Sequence, residues 1–219
     1  MIYCSRLAAL VVVCAGVAGG ADPEVISDEQ ITVLVGQLAS PNRPPPTGVP
    51  NAEDAPGYDQ EAQKQVLRAF HQLRGLAPRS FPFLFGHVGD ERYSLTVVSG
   101  KAGKNFSVGQ VCREILTSNL QSPACRRRTA STNVKHRPYP PDYLSAHKLF
   151  QPDEAKEWWE SRKNKSLREL QIEVLEWTLI EEIKASDRYL DEDRERLRKA
   201  LRDLRASRNP LEPGTPFSA

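Results

Sequence analysis

The chain has 219 residues, with 30 Lys and Arg against 28 Asp and Glu, for a formal charge of +2. That balance gives no global field to attract nucleic acid or an acidic partner. The length suits one ordinary domain with a core that needs no staples.

The first 21 residues read as a secretory signal. Arg6 is followed by an uncharged run from Leu7 to Val17 and then by the small residues Ala18, Gly19, Gly20 and Ala21. Cleavage is expected after Ala21, with Gly20 as the near alternative. The run is too short to span a bilayer, which takes about 20 apolar residues. A lipoprotein signal would acylate Cys14, but Val13 stands where that signal needs Gly, Ala or Ser. The expected product is a secreted or periplasmic chain of 198 residues with no transmembrane segment.

Ser27 and Gln30 form a capping box, and Ile31, Leu34, Val35 and Leu38 recur at helical spacing, which predicts a helix over 28–39. Pro44, Pro45, Pro46, Pro50 and Pro56 make 41–57 a loop or semi-rigid spacer. Proline-rich ligands of aromatic grooves share that composition. Asp59 caps a helix over 60–76, with Ala62, Val66, Ala69, Phe70 and Leu73 as its stripe. A short helix over 79–88 follows. Tyr93, Leu95 and Val97 alternate, so 91–98 reads as extended or turn, and 100–103 as a loop. Ser107 and Gln110 form a second box opening a helix to about Asn119.

The stretch 121–151 reads as a long irregular loop. Pro152 opens the next helix at its first position, and that helix carries Trp158 and Trp159. Adjacent helical residues point about 100° apart, so at most one of the two can be fully buried. Ser166 and Glu169 form a third box before the most apolar helix, 167–185, expected to be the central packed one. A charged amphipathic helix over 190–207 follows, with Leu197, Leu201 and Leu204 as its narrow stripe. The tail 209–219 is expected to be disordered.

One stretch resembles a known repeat. Residues 80–92 place Pro82 in an apolar helix, then Asp90 and Arg92 in a turn. This is similar to the first helix and turn of a HEAT-type repeat, with 107–116 as the second helix. The resemblance spans roughly residues 60–120. It implies that Asp90 and Arg92 hydrogen-bond between neighbouring repeat units, a structural role. The expected fold is therefore mainly α, an irregular helical bundle or a short HEAT-like solenoid of six or seven helices, in a single domain over 22–208. The stretch Trp158–Gln171 is similar to a segment found in secreted bacterial proteins, a likeness that implies no activity.

Cys4 and Cys14 would leave with the signal. Cys112 and Cys125 remain, and in an oxidising compartment they are expected to pair as a structural disulfide. A redox or metal pair is disfavoured, because the spacing is not CxxC and no His/Cys cluster completes a zinc site, and two free buried thiols are the third outcome. The densest basic run is Arg126, Arg127 and Arg128 with Lys135 and Arg137, beside His136, Tyr139 and Tyr143. It is a candidate anion-binding loop, weighed against a solvated surface. His71, His87, His136 and His147 stand apart, without ligand spacing. Glu181, Glu182, Asp191, Glu192 and Asp193 read as salt-bridged surface. The sequons at Asn105 and Asn164 end in the capping residues Ser107 and Ser166. GxSxG and P-loop motifs are absent, so no catalytic residue, metal or cofactor is assigned. The expected function is a non-catalytic interaction or scaffold protein with a protein partner. The alternatives are a secreted enzyme whose site assembles only in three dimensions and a binder of anionic polymer.

Overall fold

The computed structural model describes residues 26–46, 57–99, 102–125, 142–184 and 191–213. Among these the chain forms eight helices and one antiparallel hairpin. The helices are α1 (Asp28–Gly36), α2 (Gln60–Gly75), α3 (Phe81–Phe85), α4 (Val108–Leu120), α5 (Tyr143–Ala146), α6 (Pro152–Glu160), α7 (Leu167–Lys184) and α8 (Asp191–Ala206). The strands are β1 (Tyr93–Ser99) and β2 (Ala102–Ser107), and a 3₁₀ turn spans Pro123–Cys125. The expectation of a mainly α, irregular helical protein holds. The expected signal, the candidate anion-binding loop and the last six residues lie outside the described residues.

The three capping boxes form as the sequence dictates. Ser27 Oγ accepts from Gln30 N at 3.3 Å and Ser107 Oγ from Gln110 N at 3.2 Å. Ser166 Oγ accepts from Glu169 N at 3.3 Å, while Ser166 N donates to Glu169 Oε2 at 2.7 Å. Each box satisfies donors that a helix start leaves without intrahelical partners.

Two elements were not anticipated. Residues 102–107 are a strand, paired with β1 from Ser99 opposite Ala102 to Leu95 opposite Phe106. Gly103, Lys104 and Asn105 carry little strand propensity; pairing with β1 decides their conformation. Within the expected loop 121–151 lies α5, capped where Asp142 Oδ1 accepts from Ser145 N at 3.0 Å.

The main core gathers Ile31, Phe70, Leu73, Phe81, Leu84, Val111, Ile115, Leu116, Tyr143 and Val174 from α1 to α5 and α7. Between α3 and α4 the turn at Asp90 is tight. Gly109 N donates to Asp90 O at 2.8 Å and Val108 N to Arg92 O at 2.8 Å. Asp90 and Arg92 also bond each other, with Arg92 Nη2 2.6 Å from Asp90 Oδ2. The Arg92 hydrogen bonds hold the Asp90 carboxyl well below its usual value, at about 2, although burial opposes this.

A second, smaller core lies between α7 and α8. It consists of Leu175, Leu197, Leu201 and Leu204, with Ala124 and Cys125 of the 3₁₀ turn against it. Arg168 closes the end of α8 by donating to Leu204 O at 3.1 Å and Arg205 O at 2.8 Å. Residues 209–213, expected as part of a loose tail, are held instead. Gln171 is buried on α7 and exchanges bonds with Leu211 in both directions, while its amide nitrogen also donates to Asn119 O at 2.7 Å. Arg74 Nη2 donates to Pro213 O at 2.9 Å.

Because α8 rests on this small core alone, Leu204→Ala is expected to cost about 2 kcal/mol, the low end for a core truncation, since an edge helix can relax. Hydrogen exchange should then quicken across α8 while α4 stays protected. Equal loss of protection in both helices would contradict two separable cores.

Candidate functional site

The densest chemistry gathers where α5, α6 and α7 meet, around Tyr143 and Glu173. Tyr143 is buried at the first position of the short α5. Its hydroxyl donates to Glu173 Oε1 at 2.6 Å and accepts from Trp158 Nε1 at 3.0 Å. Glu173 sits two turns into α7 and faces the turn that joins α6 to α7. That turn delivers Arg162, whose Nε lies 2.8 Å from Glu173 Oε1, and Lys165, whose Nζ lies 2.7 Å from Oε2. Arg162 also covers the Trp158 ring, 5.0 Å from its centroid.

Burial alone would raise the Glu173 pKa. The bonds from Arg162, Lys165 and Tyr143 outweigh it and hold the carboxyl at about 2. Burial, then the hydrogen bond to Glu173, push the Tyr143 phenol far above its ordinary value. The phenol is therefore a fixed hydrogen-bond donor at neutral pH. The carboxylate is a permanent anion with three donors around it, so the cluster is suited to holding α5, α6 and α7 together.

The aromatic side of the cluster reaches the surface. His147 stacks on Tyr143 with ring centroids 4.0 Å apart and donates from Nδ1 to Tyr143 O at 2.9 Å. Trp177 meets both rings edge-on, at 5.5 Å from Tyr143 and 5.4 Å from His147. His147 and Trp177 are half-buried. Beyond Trp177, Ile180 and Ile183 are each 50% exposed. Steps of three residues rotate a helix position by about 60°, so Trp177, Ile180 and Ile183 form one slanted stripe along α7. Its last two members are half open to solvent.

The sequence-derived candidates fare differently. Cys112 and Cys125 are free thiols, which overturns the expected disulfide. Cys112 sits in the first turns of α4 within the main core. Eight further helical residues carry the chain about 12 Å along the axis before it leaves α4. The 3₁₀ turn then places Cys125 between the two cores, by Thr178. Eight of the twelve intervening residues are helix, so the chain between the thiols is no free loop. Burial, then the charge of Asp90, push the Cys112 thiol up to about 12. Burial pushes that of Cys125 up to about 11. Thiol titration of a chain lacking residues 1–21 is expected to find none reactive in the native state and two after denaturation without reductant. Zero after denaturation would restore the disulfide.

Arg126, Arg127, Arg128, Lys135, Arg137 and His136 lie outside the described residues. His71 is exposed on α2, edge-on to Phe70. His87 lies 3.5 Å from Asp90. Glu182, expected on a solvated face, is buried against α8, and its backbone carbonyl accepts from Arg194 Nη2 at 2.9 Å. Of the two tryptophans, Trp158 is buried and Trp159 half-buried. Asn105 has its side chain engaged within the fold, whereas Asn164 is exposed in the turn before α7.

Sequence reasoning missed Glu173, Arg162, Lys165 and the half-exposed end of α7. The two cations preceding α7 were the available signal, but their common partner lies on the far side of a turn. Among the described residues no group of three or more His, Cys, Asp and Glu is placed to hold a metal ion, and no helix is long and apolar enough to cross a membrane. Comparison with protein-family models, curated proteins and solved structures finds no match.

Proposed function

We propose that the chain is a non-catalytic interaction or scaffold module, exported from the cytoplasm, whose partner is another protein. The observation that carries this reading is the half-exposed stripe on α7. Ile180 and Ile183 sit on a helix fixed on its other sides by α4, α5 and α8, so the stripe is presented on a rigid support. Exposed apolar residues scattered singly are ordinary, whereas adjacent ones beside a half-buried Trp make an anchor for a partner's apolar side chains. Glu176 and Glu181 flank the stripe and are ion-paired with Arg205 and Lys184, so its rim is charge-balanced. The leader-like first 21 residues support export.

The test is affinity capture from an extracytoplasmic fraction, with the unaltered chain and an Ile180→Glu/Ile183→Glu variant side by side. A partner retained by the first and lost by the second, at unchanged melting temperature, is expected. Equal capture by both would overturn the reading. Surface substitutions of this kind move stability by about 0.5 kcal/mol or less, so lost capture would report binding rather than folding.

One sequence observation favours a second reading, an anionic-polymer binder. From Gln121 to Pro141 the chain carries Arg126, Arg127, Arg128, Lys135 and Arg137 and no acid. Salt-sensitive retention on heparin that is lost on neutralising Arg126–Arg128 would support it, with a slope of up to about −0.9 per phosphate or sulfate neutralised.

A further inference from the structure

We propose that the face formed by Tyr58 and the β1–β2 hairpin reads proline-rich extended segments, and that Arg43–Pro46 of the same chain occupies it in cis. The face is separate from the α7 stripe and goes beyond the function proposed above.

The reading starts from one directional donor. Asn105 Nδ2 donates to Pro45 O at 2.7 Å. Its orientation is fixed from behind, because Asn105 Oδ1 accepts from Thr96 Oγ1 at 2.7 Å. Thr96 Oγ1 is in turn 2.8 Å from Tyr93 Oη, which is 3.4 Å from Tyr58 Oη. A carbonyl can only accept, so the amide must present its nitrogen to Pro45. The chain Tyr58–Tyr93–Thr96–Asn105 thus links two phenol hydroxyls to one aimed amide.

That combination suits an extended proline-rich segment. Such a segment has no internal hydrogen bonds, leaves its carbonyls free to accept, and loses little entropy on docking because its φ angles are already fixed. Arg43–Pro46 has no regular secondary structure, and Pro45 is buried while Pro44 and Pro46 are exposed. One buried proline between two exposed ones, its carbonyl read by an amide, is the alternation expected of that docking mode. Among the described residues, the bond to Pro45 is the segment's one hydrogen bond to the hairpin. The segment starts from a firm base, where Asn42 exchanges bonds with Asp59 at 2.7 and 2.9 Å. A tether this short gives the cis segment an effective concentration on the order of millimolar. A proline-rich segment of another protein competes against that value and binds freely once the cis copy is gone.

The experiment uses the chain lacking residues 1–21, labelled with ¹⁵N, and a capped peptide of residues 42–48 as the probe. In a Pro44→Gly/Pro45→Ser/Pro46→Gly variant, the peptide is expected to shift Tyr93, Thr96 and Asn105 saturably, with Kd below about 1 mM. Binding to the unaltered chain should be at least about twofold weaker, as competition with a segment held at millimolar effective concentration requires. Adding Asn105→Ala to the variant should abolish the shifts. No saturable shift in the triple variant, or shifts that survive Asn105→Ala, would overturn the proposal. If the triple variant does not fold, the unaltered chain at about 10 mM peptide should still show displacement at the Asn105 side-chain amide. An unmoved amide would sink the proposal just as surely. The Ile180→Glu/Ile183→Glu chain should bind the peptide as its parent does, so failure of the α7 reading and failure of this one are distinguishable.

Discussion

Replacing Gly109 by Ala is expected to lower stability by about 3 kcal/mol, at the upper end of overpacking effects. A Cβ at this position would lie 2.6 Å from Val88 O, 2.9 Å from Val88 C and 3.0 Å from Asp90 N. All three are backbone atoms of the turn leaving α3, so no flexible side chain can yield. The turn must move away from the start of α4, which stretches the bond from Gly109 N to Asp90 O. Ala is a better helix former than Gly by about 1 kcal/mol, and that gain does not offset the displacement. For a chain of this length the melting temperature should fall by roughly 6–12 °C. An unchanged urea midpoint would show that the turn is free to shift, and the account of its packing would be wrong.

The second large effect concerns Glu173. Glu173→Ala removes the common acceptor of Arg162, Lys165 and Tyr143. It leaves a half-buried guanidinium and a buried phenol short of partners. Breaking an ion pair in this way costs about 3 kcal/mol, the low end for buried pairs, because Arg162 and Glu173 remain 23% and 22% exposed. Tyr143→Phe should cost less, about 1–2 kcal/mol, since the cations keep the carboxylate satisfied. The pH dependence has a definite sign. The folded-state pKa of Glu173 is depressed from an ordinary 4.5 to about 2. Its contribution is therefore complete above about pH 4.5 and is lost as the pH falls toward 2. Asp90, also held at about 2, adds to the same acid limb. Urea midpoints between pH 2 and 6 should fall less steeply for Glu173→Gln than for the parent. Identical acid limbs would show that Glu173 does not supply the slope.

Where a structural decision was local, the residues announced it. The boxes at Ser27, Ser107 and Ser166 fixed three helix starts to the residue, because a cap and its partner are only three positions apart. The apolar stripe of α8 was equally plain. Strand β2 was hidden because Gly103, Lys104 and Asn105 owe their conformation to β1 and not to themselves. In the sequence Tyr143 stands out only as a neighbour of the basic run, since its partners arrive from α6 and α7. The cysteine pairing failed for a related reason. Spacing in sequence suggested a closable loop, but eight residues of helix lie between Cys112 and the end of α4. The candidate site was the least legible part: Glu173 gains its partners across a turn, and the exposure of Ile180 and Ile183 depends on where α4, α5 and α8 choose to pack.

The two arginines that bracket the α2–α3 connection have a mechanical consequence. Arg79 holds Asp28, at the start of α1, with Nη2 2.9 Å from Oδ1. Arg74 holds Pro213, the last described residue. Both ends of the fold are thus moored within five positions of each other. Tension pulling those ends apart would load the two arginines together with the Leu211–Gln171 bonds that tie the Pro213 segment to α7. A body anchored through either end would carry its α7 stripe at a fixed distance from the anchor, as a bracket holds a hook.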